Sequence, residues 1–141
     1  MLHNAARDGK LQVVEYLIGF EAQIDEKDKF QMTPLHFAAQ FGRFEVTKFL
    51  VEKGAQINVK NEEGNTPLHE AAENNHPKIV KFLLDRGAQM EIKNENADTP
   101  TVLGIHHPEV IQGFIEKGFN PNYSTLLHLT IITQKCFSET H

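Results

Sequence analysis

The stretch Thr66-Pro67-Leu68-His69, TPLH, stands also at Thr33-Pro34-Leu35-His36, an interval of 33 residues. One interval further on, at Thr99-Pro100-Thr101-Val102, only the Thr-Pro survives. Outward from the tetrad the agreement continues. Residues 33–65 read TPLHFAAQFGRFEVTKFLVEKGAQINVKNEEGN, and residues 66–98 read TPLHEAAENNHPKIVKFLLDRGAQMEIKNENAD. Residues 1–32 carry the same unit without its leading Thr-Pro. Residues 99–124 form a shortened unit, and residues 125–141 open a partial fifth with Leu126, Leu127, Leu129, Ile131 and Ile132. A period of this length marks an array of small units, each unable to bury its own apolar side and stabilised by stacking on the next.

Each part of the unit has a local reading. Pro34 and Pro67 suit the first position of a helix, where the missing N–H has no helical partner, and Thr33 and Thr66 precede them as N-caps. The pairs Ala5-Ala6, Ala38-Ala39 and Ala71-Ala72 let that short helix pack closely. Gly9, Gly42 and Asn75, residue types that tolerate left-handed backbone, then break the chain. A second helix follows, with Phe44, Val46, Phe49 and Leu50, and later Ile79, Val80, Phe82 and Leu83, at helical spacing. Gly54, Gly87 and Gly118 stop it, and a polar segment such as INVKNEEGN makes a projecting turn. Gly64 ends one such turn, whereas Gln31 and Ala97 hold its place in two others.

The tetrads, the Ala-Ala pairs and the Gly-Ala-Gln-Ile/Met runs at Gly54 and Gly87 resemble the ankyrin repeat family over nearly the whole chain. The resemblance implies an all-α ankyrin-repeat solenoid of helix-turn-helix units with β-turn fingers. It implies that His3, His36 and His69 hydrogen-bond between neighbouring units. It implies protein binding on a concave face made of fingers and first helices. The contact positions it carries over are Lys29, Phe30, Met32, Gln40 and Phe41 in the second unit. In the third they are Glu62, Glu63, Asn65, Glu73 and Asn74. Arg7, Asp8, Glu95, Asn96 and Asp98 occupy matching positions in the outer units. Phe30, Met32 and Phe41 stand out, because turn tips are usually polar and aromatic or Met residues there mark binding hot spots. The alternative is that Phe30 folds back onto Phe41 or its own finger. The acidic residues beside them call for a partner with an apolar anchor and a basic flank. Asn58, with Leu50 eight residues before it, sits in a context that resembles a site of asparagine hydroxylation; an unmodified finger asparagine is the plainer reading.

The fourth unit departs from the pattern. Two residues are missing at its helix–helix turn and five from its finger, Gly104-Ile105 replaces Ala-Ala, and Val102 replaces the histidine. A glycine inside a helix costs about 1 kcal/mol relative to alanine, so its first helix should be short. Capping of the stack and drift within a longer array both explain the decay.

The bulk properties narrow the function. The chain has 141 residues, 40% hydrophobic and 23% charged, with net charge −5. That acidity excludes a nucleic-acid face and an anionic membrane surface. No apolar run is long enough to insert in a membrane, and the N-terminus does not read as a secretory signal. The single cysteine, Cys136, forbids an intrachain disulfide and fits a cytoplasmic chain, with the nucleus as alternative. Of the eight histidines, those at the tetrad position are spaced roughly 8–10 Å apart by helix packing, too far to share a metal. His106-His107 and His76 read as turn residues. Catalytic motifs are lacking, and Cys136 with His128 has no oxyanion hole in view. The expectation is a non-catalytic module with no cofactor and no metal, free-standing like small inhibitors of the IκB type, with weak self-association through the C-terminal end. The rival is a targeting or scaffold segment of a larger enzyme or membrane protein.

Overall fold

The computed structural model describes residues 1–120, which fold as four helix pairs with no strand among them. The pairs are α1 (Leu2–Asp8) with α2 (Leu11–Gly19), α3 (Pro34–Gln40) with α4 (Phe44–Glu52), α5 (Pro67–Glu73) with α6 (Pro77–Asp85), and α7 (Pro100–Leu103) with α8 (Pro108–Glu116). First helices stack in one layer, α1 on α3 on α5 on α7. Second helices stack in the other, α2 on α4 on α6 on α8. The partial fifth unit, its apolar residues, Cys136 and His128 lie outside the described residues.

The tetrad starts α3 and α5 by the same chemistry. Thr33 Oγ1 accepts from the His36 backbone N–H, and His36 Nδ1 accepts from the Thr33 N–H at 3.1 Å. Thr66 and His69 repeat the arrangement, with 3.0 Å for the return bond. This is a reciprocal capping box in which histidine replaces the usual glutamate. Between the layers lie Leu35, Ala38, Ala39, Leu68, Ala71 and Ala72, all fully buried, with Val46, Leu50, Ile79, Val80, Leu83, Val110 and Phe114 from the second helices. Phe44 meets Phe82 edge-on at 5.6 Å between α4 and α6. Ion pairs Arg86–Glu52, Lys81–Glu116 and Lys117–Asp85 link neighbouring units along the outer layer. Their half-exposed ends keep each contribution under about 1 kcal/mol.

The fourth unit shows why its sequence changed. Helix α7 has only 4 residues against 7 in α3 and α5, as its sequence leads one to expect. Thr99 still caps it, but Val102 cannot return the bond. The glycine has a second cause. The shortened turn brings α8 so close that a Cβ on Gly104 would lie 2.6 Å from Val110 Cγ1 and 3.3 Å from Ala72 Cβ.

Gln31 and Ala97 both adopt φ of 64°, beside 78° at Gly64. Left-handed backbone costs a residue with a Cβ on the order of 1 kcal/mol. Gln31→Gly and Ala97→Gly should therefore each stabilise the protein by about 1 kcal/mol in urea unfolding, and no gain would disprove the strain. Gly104 is the C-cap of α7 at φ −90°, a backbone that alanine adopts freely, so packing decides Gly104→Ala: overpacking costs about 1–3 kcal/mol, and the expected result is a lower unfolding midpoint.

Candidate protein-binding face

Three ladders of side-chain bonds fix the layer of first helices and fingers. In the first, His3 Nε2–H reaches Met32 O at 3.0 Å, His36 reaches Asn65 O at 2.8 Å and His69 reaches Asp98 O at 3.0 Å. Each acceptor is the last residue of the histidine's own unit and directly precedes the next unit's Thr N-cap, so these histidines fix the unit boundary rather than bond across it. The second ladder runs backward and was not foreseen. Arg43 donates to Arg7 O at 2.9 Å, His76 to Gln40 O at 2.9 Å and His107 to Glu73 O at 3.1 Å. Gly42 makes room for this ladder: its φ is 73°, and a Cβ there would lie 2.7 Å from the His76 ring. The third builds the fingers. One side-chain oxygen on each of Asp28, Asn61 and Asn94 accepts two backbone N–H groups, two and four residues on, at 2.9–3.0 Å. Adjacent fingers join through Glu62 N–H to Phe30 O and Glu95 N–H to Glu63 O. A residue recurring at the unit interval was the available signal for Asp28, Asn61 and Asn94.

Between the second and third units these ladders hold open a cleft of about 580 Å³. Asp28, Phe30, Met32, Phe37 and Gln40 line one side; Asn61, Glu62, Glu63, Glu70, Glu73 and Asn74 line the other. Seven expected contact residues thus share one cleft: Phe30, Met32, Gln40, Glu62, Glu63, Glu73 and Asn74. Lys29, Phe41 and Asn65 are not among its lining residues. Two of the expected contact residues are buried. Met32 is only 9% exposed, because its sulfur receives Asn61 Nδ2–H at 3.1 Å on the cleft floor. Asn65 is buried and structural, its Oδ1 accepting from Asn94 Nδ2 and its backbone oxygen from His36. Phe30 is 53% exposed and Phe41 45%, so neither is covered by the other. Lys29 Nζ lies 5.1 Å from the Phe30 ring centre. Asn58, on the opposite side of the finger base, accepts from Gln89 N–H at 3.0 Å and so ties the second unit to the third.

Glu70 was overlooked, although it sits one helical turn before Glu73 on α5, which places both on one face. It is 6% exposed, and Asn61 and Asn65 amides donate to its Oε1 at 3.2 and 3.4 Å. Burial, then the Glu73 charge, pushes its pKa up to about 7. His36 shifts the other way: burial pushes its pKa down to about 4, and His69 is lowered for the same reason. Among the described residues, no three His, Cys, Asp or Glu side chains are placed to hold a metal ion, and no helix is long and apolar enough to cross a membrane.

The two shifts have opposite linkage. Glu70 binds its proton more tightly folded than unfolded, so it opposes folding above pH 7 and that penalty fades as pH falls toward the ordinary value of 4.5. His36 binds its proton less tightly folded, so stability is lost as pH falls from 6.5 to about 4. Glu70→Gln should therefore stabilise the protein by about 2 kcal/mol at alkaline pH and leave a steeper acid-side loss, measured by denaturant unfolding across pH. A variant with unchanged alkaline stability would contradict the burial cost assigned to Glu70.

A family model described as ankyrin repeats, in three copies, matches residues 2–94. No curated protein matches the chain closely enough to count as a relative. Ankyrin repeats generally mediate protein–protein interaction, and the family is typically non-catalytic. Period, capping boxes, ladders and family match converge: the chain belongs to the ankyrin repeat family.

Proposed function

We propose that this protein is a non-catalytic binding module that captures a partner protein on its concave face of fingers and first helices. It acts by covering the partner's surface, in the manner of small IκB-type inhibitors, in a reducing compartment. The observation that carries this reading is the pair of exposed aromatic side chains, Phe30 and Phe41, on a face whose neighbouring cleft is walled by carboxyls. Exposed aromatics of this kind supply a large apolar contact area at small entropic cost, and the carboxyls select the charge of what approaches. The partner then has an apolar anchor flanked by Lys or Arg, which excludes nucleic acid as the ligand.

The test is affinity capture with cross-linking, comparing the full chain with a Phe30→Ala, Phe41→Ala double variant. Met32 is left intact because it is buried. The double variant should keep its helical circular dichroism and lose at least an order of magnitude in partner affinity, since buried aromatic anchors are each worth about 2 kcal/mol or more. Undiminished capture, or cross-links confined to the second-helix layer, would refute the assignment of this face.

A further inference from the structure

The cleft between the second and third units is asymmetric in a way that selects one kind of side chain. Its second-unit wall offers the apolar side chains of Phe30, Met32 and Phe37, beside Gln40 and an Asp28 whose carboxylate is already engaged by backbone N–H groups. Its third-unit wall carries Glu62, Glu63, Glu70 and Glu73. Glu70 is more than nine-tenths buried, yet among the described residues no cation pairs with it. Its two amide donors both reach Oε1. Oε2 has no donor among the described residues, and no buried side-chain oxygen there is left unpartnered, so Oε2 opens to the cleft. A carboxyl dried in this way without a counter-ion is costly, and an entering cation relieves the cost.

We infer that the cleft takes an arginine side chain of the partner protein, its guanidinium on Glu70 Oε2 and its stem against Phe30 and Phe37, and that Glu70 sets this specificity. This rests on the concave face being the binding face. Guanidinium suits the walls better than ammonium does. It is planar and stacks on aromatic rings, it has donors enough for more than one carboxylate, and it sheds water more readily.

A proton must leave when the arginine enters. Glu70 holds a proton through much of the neutral range, and a bound guanidinium favours the carboxylate. The charged groups around it are Glu73 on its own helix, Glu62 and Glu63 on its finger, and Asp28 on the preceding finger, whose carboxylate is engaged by Phe30 and Met32 N–H groups. On α3 the titratable group is His36, which is neutral here; α7 has none. The α6 lysines are occupied elsewhere, Lys78 over the Phe44 ring and Lys81 with Glu116. Binding should therefore tighten about 10-fold from pH 6 to pH 8, as the competent carboxylate form becomes populated.

Random linear peptides displayed against the full chain test this, with binding sites of the selected peptides mapped by NMR. Supporting results are an arginine beside an apolar residue in the selected peptides and at least 10-fold weaker binding when it is replaced by citrulline. So is the pH dependence above, abolished in Glu70→Gln with circular dichroism unchanged. Peptides that move Phe30 and Phe41 signals but carry no arginine, carry lysine instead, or ignore Glu70→Gln overturn this inference and leave the binding face standing. Peptides that bind only elsewhere, or no selected peptides, overturn both.

Discussion

The array depends on a neutral imidazole used at both nitrogens. Nδ1 of His36 accepts from the Thr33 N–H within its own unit, and Nε2–H donates to Asn65 O at the threshold of the next. Only one tautomer satisfies both bonds, and a protonated ring has no lone pair left at Nδ1 to accept the Thr33 N–H. The dry interface that needs the bond also keeps the ring neutral, since burial is the largest cause of its lowered pKa. Thr, Pro, Leu and His therefore work as one device. The threonine and proline start the helix, the leucine dries the site, and the histidine carries the register forward.

Much of this was legible from periodicity. The tetrads, the Ala-Ala pairs and the breaks at Gly9, Gly42 and Asn75 each have a local physical meaning, and all three breaks adopt positive φ. The shortening of α7 was legible for the same reason. The backward ladder was not, because Arg43, His76 and His107 differ in type, and only the folded chain shows that each ends on the same carbonyl of the preceding unit. Met32 misled because exposure at a finger tip depends on which way one side chain turns, and its sulfur turns inward to Asn61. Glu70 lies outside the positions that the family resemblance carries over, and its burial against the Asn61 and Asn65 amides shows only in the folded chain.

The two layers divide their labour. Second helices meet through aliphatic and aromatic packing with charges paired between units. First helices pack through Leu35, Leu68 and the Ala-Ala pairs, and they and the fingers are further joined by hydrogen bonds that end on backbone carbonyls. The same withdrawal of water acts on His36 and Glu70 with opposite sign, favouring the uncharged form of each. One of these groups serves assembly. The other is a local conflict tolerated on the face where partners are received, as is common where function competes with stability.

Val102 gives the solenoid a polarity under load. A valine side chain has no donor to send forward, so the histidine rung carried by the first three units is missing from the fourth. The fourth unit is held by its packing, by His69 reaching Asp98 O, by His107 reaching back and by the outer-layer ion pairs. Every joint among the first four units thus keeps its histidine rung, and under a pull along the stack the cleft between the second and third units keeps its shape.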